Sequence, residues 1–278
     1  MRKMTTLLLT FLLPMMLGFS HAPTESKHPS TVPVQMQVKH NQQESIPVLM
    51  YHCISKGNNY LYVPPEQFEH QLVSLQKDGY TTITASELLS FWERGTVLPK
   101  KPVLITLDDG YEDNYTNAFP ILKKHRAKAT IFVVTGAVGR PNYMSWQQLG
   151  EMNKSGLVDL ESHTVHHHNT RKITDAEFRT ELVDSKQALE SHLNKKIVIF
   201  AFPFGESKPS SAAILQESGY RIAFSTNKGL AHYPDGKYRL KRLEMFAQDS
   251  PPAAIAEASQ PKKKPFLDPF SILASIKL

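Results

Sequence analysis

The sequence predicts an α/β protein whose parallel strands close, or nearly close, into a (β/α) barrel. Three observations carry that prediction. Short apolar runs rich in β-branched and aromatic residues recur at 46–54, 80–83, 103–108, 129–134, 157–161, 197–202 and 220–225, with helical periodicity or helix caps between them. At Gly79, Gly156 and Gly219 a glycine stops a helix and a strand follows at once. No G-x-G-x-x-G follows the first strand, which removes the main support for an open doubly wound sheet. Seven or eight strands within 278 residues suit one large barrel domain with extensions better than two ordinary domains.

Residues 1–22 read as a secretory signal peptide. Arg2 and Lys3 lead, residues 7–19 are mostly apolar, and Ser20-His21-Ala22 offers small residues at the −3 and −1 positions of a cleavage site. Pro14 and the shortness of the run argue against a retained span. The protein is therefore expected outside the cytoplasm, secreted or at the cell surface, after cleavage near Ala22. Cys53 is the single cysteine, which excludes an internal disulfide. The formal net charge of +6, part of it on Arg2 and Lys3, is a mild attraction toward anionic surface polymers. No basic stripe interleaved with aromatics marks a nucleic-acid partner.

Residues 23–45 are polar, proline-rich and without period, the composition of a flexible linker. The folded part, residues 46–246, opens with the apolar run IPVLMYHCI, which ends on Tyr51-His52-Cys53. From Pro65 a helix is signalled by Phe68, Leu72 and Leu75 at helical spacing. Thr84 and Glu87 form the ends of a capping box, as do Thr174 and Glu177. The second box opens a long helix whose apolar face carries Phe178, Leu182, Leu189 and Leu193. Residues 118–125 are expected helical despite Pro120, Ser145 is expected to cap a helix through Met152, and a short helix runs from about Pro209 to Gly219. Beyond Phe246 the pattern fails. Residues 247–278 are linker-like and then a short apolar-polar end, expected to be weakly ordered, with docking on the domain or contact with a membrane surface or cell wall as the other options.

Chemistry concentrates at strand ends. Residues 103–110, VLITLDDG, deliver Asp108 and Asp109 to the carboxyl end of a buried strand, where α/β barrels keep their sites. Neighbouring carboxylates repel, and a cation is the simplest compensation. Side chains alternate along a strand, so a turn that starts at the second Asp, permitted by Gly110, is needed for both to converge. After the run 157–161 comes SHTVHHH, in which His163 and His167 have i,i+4 spacing and can meet on one face of a turn. One carboxylate with two histidines suits zinc or another divalent transition metal in a hydrolase. Taken singly, the DDG describes a turn or helix cap, the histidine run an exposed loop, and His52 a satisfied structural histidine. Their occurrence at successive strand ends favours a site. The HExxH protease pattern is absent, because Thr164 stands where its glutamate would be.

These segments carry a family resemblance. TLDDG (106–110), HTVHH (163–167) and AFPFG (201–205) resemble, in order, the signature of the polysaccharide deacetylases, carbohydrate esterase family 4, with a NodB-homology domain spanning about 46–246. The resemblance implies a distorted (β/α) barrel of about seven strands and a metal, most often Zn2+, on Asp109, His163 and His167. It implies Asp108 as general base and the Pro203-Phe204 turn, through the Phe204 N–H, as oxyanion donor. The chain also departs from the signature. Ala201 replaces a common arginine expected to tune the base, no tryptophan represents the fourth motif, and Leu240-Lys241-Arg242-Leu243 lacks the histidine of the fifth. Tyr51-His52 in VLMYHCI resembles a relocated fifth motif in the subgroup acting on biofilm poly-N-acetylglucosamine, which makes His52 the general acid. The implied activity is release of acetate from N-acetylglucosamine units of a cell-surface polysaccharide: poly-N-acetylglucosamine, a chitin-like polymer or peptidoglycan. The alternatives are an O-acetyl xylan or polysaccharide esterase and a non-catalytic binding protein with a decayed site.

Overall fold

In a computed structural model of the chain, residues 33–261 are described. The expected signal segment, the start of the expected linker and residues 262–278 of the tail lie outside the described residues.

Among the described residues ten strands occur in chain order: β1 (Ser45–Ile46), β2 (Val48–Tyr51), β3 (Thr81–Ile83), β4 (Pro102–Asp109), β5 (Ala129–Val133), β6 (Val158–Ser162), β7 (Ile199–Ala201), β8 (Ile222–Lys228), β9 (Ala231–His232) and β10 (Leu240–Glu244). The helices are α1 (Val34–Gln42), α2 (Pro65–Lys77), α3 (Ala85–Arg94), α4 (Phe119–His125), α5 (Trp146–Lys154), α6 (Asp175–Leu193), α7 (Ser211–Glu217) and α8 (Pro251–Ala258). Strand β2 pairs on one side with β4 and on the other with β10, and the order continues β10-β8-β7-β6-β5-β4, every pairing parallel. Seven strands thus close a hydrogen-bonded ring with helices in the crossovers, a distorted (β/α) barrel. The distortion is local: β6 and β7 share the single partnership Ser162↔Phe200, and the β8–β10 register shifts between Leu240 and Arg242. Strands β1 and β9 form a separate antiparallel pair.

Strand alternation divides the core. Leu49, Tyr51, Val103, Ile105, Leu107, Ile131 and Leu160 pack with Phe68, Leu72, Leu149, Phe178 and Leu182 of the surrounding helices. The other parity, Val48, Leu104, Phe132, Ile199, Ile222, Phe224 and Leu240, fills the ring interior and meets α3. The Phe132 and Phe224 rings, from non-adjacent strands, lie 5.7 Å apart across that interior. Asp108 and Arg242 share this inward parity, which sets the site.

Local signals hold where they were read. Capping boxes open α3 at Thr84, α5 at Ser145 and α6 at Thr174. Gly79, Gly156 and Gly219 adopt φ of 80°, 70° and 80° before strands β3, β6 and β8. Pro120 falls in the first turn of α4, where no amide is lost, and a π-helical turn, Asn114–Ala118, precedes it.

Three expectations are corrected. The supposedly flexible linker contains α1, fixed because buried Asn41 donates through Nδ2 to the carbonyls of Phe91 (2.8 Å) and Thr96 (3.1 Å). The supposedly weakly ordered tail contains α8, which starts on Pro251 and buries Ile255 in the core. Seven strands were expected and seven form the ring, but not the same seven. β3 pairs only with the start of β4, Thr81–Ile83 against Pro102–Leu104, while β10, which was not foreseen, closes the barrel.

Candidate active site

At the carboxyl end of β4 the backbone turns left-handed at both Asp109 (φ 77°) and Gly110 (φ 81°). This lets Asp108 and Asp109 line one cleft although they are consecutive in a strand. Besides the helix ends Arg126 and Asn194, the non-glycine residues with positive φ include Asp109, Thr164, His167 and Phe204. Four strained backbones gathered at one place mark a functional site.

Asp108 is locked. Arg242 of β10 donates Nη1 to its Oδ1 and Nη2 to its Oδ2, both at 2.7 Å, and the two side chains are 3% and 0% exposed. Arg242 is itself held by bonds to the Ser225 carbonyl (2.9 Å) and the Thr106 hydroxyl (3.1 Å). Two residues after inward-facing Leu240, Arg242 points into the ring by ordinary strand alternation. Burial opposes ionisation of Asp108, but the guanidinium outweighs it and holds the carboxyl below its ordinary range. The expectation that the base lacks its tuning partner is thus overturned: the cation absent at Ala201 comes from Arg242, inside the segment read only as a failed fifth motif.

Asp109 faces two imidazoles. Its Oδ1 lies 3.4 Å from His163 Nε2 and 3.2 Å from His167 Nε2. His163 Nδ1 bonds the Ala201 carbonyl at 2.8 Å. A carbonyl only accepts, so Nδ1 carries the proton and Nε2 presents a lone pair toward Asp109. His167 is placed by its left-handed backbone (φ 58°), by its N–H bond to the Thr164 hydroxyl (2.9 Å) and by the Phe204 ring 4.7 Å away. Asp109 Oδ1 is buried and makes no hydrogen bond. A buried carboxylate oxygen opposite imidazole lone pairs is costly unless a cation sits among them, so the three residues fit a divalent ion, as the donor set of neutral nitrogens and one carboxylate does chemically.

His52 follows β2 and lines the same cleft of about 670 Å³ as Asp108, Asp109, His163 and His167. Its carbonyl is anchored by Asn114 Nδ2 at 2.9 Å. Phe204, 59% exposed, lines the cleft from the Pro203-Phe204-Gly205 turn, while Pro203 is buried in that turn outside the cleft lining. Gly205 is required there: φ is 69°, and a Cβ would stand 2.0 Å from Thr226 Oγ1. Tyr60 and Phe246, edge to face at 6.2 Å, form an aromatic wall that the sequence did not announce.

A closed parallel barrel thus carries at its strand ends an Asp-His-His cluster able to hold a metal ion, beside an ion-paired second aspartate. The polysaccharide deacetylase family profile matches residues 96–223. A Bacillus subtilis (strain 168) protein assigned as a polysaccharide deacetylase, YxkH, is 33% identical over 230 residues, covering 80% of this chain and 82% of its own. A Staphylococcus aureus (strain MRSA252) poly-β-1,6-N-acetyl-D-glucosamine N-deacetylase is 29% identical over 239 residues, 76% of this chain and 81% of its own. The structure of Streptococcus pyogenes deacetylase PplD, in complex with acetate, superposes with TM-score 0.73 at 30% identity, over 79% of this chain and 100% of that one. The chain belongs to the polysaccharide deacetylase family, hydrolases of carbon–nitrogen bonds other than peptide bonds.

Proposed function

We propose that the protein is an exported, metal-dependent N-deacetylase that removes acetyl groups from N-acetylglucosamine units of a cell-surface polysaccharide. The observation that carries this reading is the buried, hydrogen-bond-free Asp109 Oδ1 facing His163 and His167, with ionised Asp108 in the same cleft. Export rests on the character of residues 1–22. The amino-sugar substrate is favoured by the likeness to the staphylococcal enzyme named above and by the aromatic wall of Tyr60, Phe204 and Phe246, whose faces suit pyranose rings.

The residues divide the work. A divalent cation, Zn2+ by preference for this donor set, would be held by Asp109, His163 and His167 and would polarise the acetamide carbonyl and acidify water. Asp108, kept ionised by Arg242, accepts the proton of the attacking water. Phe204 presents its backbone N–H from a fixed left-handed turn toward the developing oxyanion. The glucosamine nitrogen leaves only when protonated, and His52, which lines the same cleft as Asp108, is the proton donor. Products are acetate and a free amine on the sugar.

The test is acetate release by metal-loaded protein from poly-β-1,6-N-acetylglucosamine, chitooligosaccharide, peptidoglycan and O-acetylated xylan. Turnover confined to the amino-sugar polymers is expected. Turnover on the xylan alone would transfer the protein to the esterases.

A further inference from the structure

The run His166-His167-His168 is split by the loop that carries it. His167, with φ 58°, turns toward Asp109, whereas His166 and His168 turn the other way, onto Glu181 of α6. Their rings stack with centroids 5.5 Å apart. The Glu181 side chain is 8% exposed, and its two oxygens differ. Oε2 accepts the N–H groups of Val165 and His166, both at 2.8 Å, which pins the carboxylate and satisfies that oxygen. Oε1 bonds the His166 Nδ1 at 2.6 Å and lies 3.8 Å from the His168 Nδ1. The three candidate donor atoms fall within 4.8 Å of one another.

We propose that His166, His168 and Glu181 form a second divalent transition-metal site, on the outer flank of the loop whose inner flank carries His167. Two imidazole nitrogens and one carboxylate oxygen are the donors preferred by Zn2+, Co2+ and Ni2+ rather than by Mg2+ or Ca2+. Metal–ligand distances of about 2.0–2.1 Å in a tetrahedral site set the donor atoms roughly 3.3 Å apart. The His166–Glu181 contact must therefore open slightly and the His168 contact close, and both rings are more than half exposed and free to do so. On binding, the cation takes the place of the Nδ1 proton that His166 shares with Oε1, and the neutral ring carries its one proton on Nε2 instead, exchanged through solvent. The fourth position faces solvent and holds water. The carboxylate needs no reorganisation, because the backbone of 165 and 166 already fixes it. Occupancy ties the His167 loop to α6 without entering the cleft.

The site stands apart from the reaction proposed above and is tested by counting ions. Chelator-stripped protein is dialysed against Co2+ or Zn2+ and the bound metal is measured. Wild type should hold two ions per chain, the His166→Asn/His168→Asn variant one, and the His163→Ala/His167→Ala variant one. Both replaced histidines of the first variant are surface side chains, so its fold should survive, and circular dichroism checks this. One ion on wild type that is lost in His163→Ala/His167→Ala, or an unchanged count in His166→Asn/His168→Asn, overturns the second site and leaves Glu181 as a hydrogen-bonding clamp. An unchanged count in His163→Ala/His167→Ala instead refutes the Asp109 centre and leaves the second site standing.

Discussion

Replacing Arg242 by methionine keeps an unbranched stem but removes the guanidinium that holds Asp108 by two 2.7 Å bonds. Both side chains are essentially sealed from water, so solvent cannot replace the lost partner. Breaking one half of a buried pair typically costs about 3–5 kcal/mol, a large share of the roughly 5–15 kcal/mol that holds a domain together. For a domain of this size that corresponds to a fall in Tm of roughly 6–20 °C. The kinetic effect has a defined sign. Without the guanidinium, burial is opposed only by the weaker pull of His163 and His52, so the Asp108 pKa rises and the acid limb of kcat/KM against pH moves to higher pH. Turnover at neutral pH falls, within the 10²–10⁴-fold that general-base catalysis is usually worth, roughly, and recovers toward alkaline pH. The same pair shapes stability. The folded pKa of Asp108 is depressed, so the pair's stabilisation is present above the ordinary carboxyl range near about 4 and lost as pH falls through the folded value. The stability gap between wild type and Arg242→Met should therefore shrink on strong acidification. Arg242→Lys, with charge but no fork, should fall between the two. The assays are denaturant melts and pH–rate profiles. An acid limb and a Tm unchanged in Arg242→Met would refute the assignment of Arg242 as the residue that holds Asp108 ionised.

Asp108→Asn preserves shape but removes the proton acceptor, so acetate release should drop by about 10²-fold or more with metal content intact; a near-normal rate would exchange the roles of the two aspartates. His52→Ala should lose far more activity on an N-acetyl substrate than on an activated ester, whose leaving group needs no proton, and equal losses would make His52 a positioning residue. Gly205→Ala should be strained both by φ 69° and by a Cβ 2.0 Å from Thr226 Oγ1, costing on the order of 1–3 kcal/mol in a urea melt and misplacing Phe204; a neutral melt would show that the turn yields.

The fold was legible where a signal is local. Glycine stops at 79, 156 and 219 and the capping boxes at Thr84 and Thr174 depend on a few consecutive residues, and each stands where it was read. Ring membership depends on register between distant segments. β3 is a strand, as its sequence says, yet pairs only with the first residues of β4, while LKRLE places a charged Arg242 inward and so hides β10 from any apolar pattern. α1 owes its place to side-chain bonds from Asn41 to a helix 50 residues further on, and α8 to Ile255 docking in the core, neither of which composition reveals. The site shows the same division. Asp108, Asp109, His163 and His167 sit at strand ends with telling spacing, and His52 joins them in one cleft. Arg242 lies 134 residues from Asp108, and the only sequence hint was that Asp108 needed a cation which Ala201 could not supply.

The central claim is that a cation on Asp109, His163 and His167 is required for deacetylation. It is tested most directly by stripping the protein with a chelator and following acetate release from an N-acetylglucosamine polymer as Zn2+ is returned. Wild type should lose its activity on stripping and regain it with about one equivalent of metal, whereas His167→Ala should stay inactive at the same metal concentration. Full activity in the stripped protein, or restoration of His167→Ala to the wild-type rate, would contradict the account.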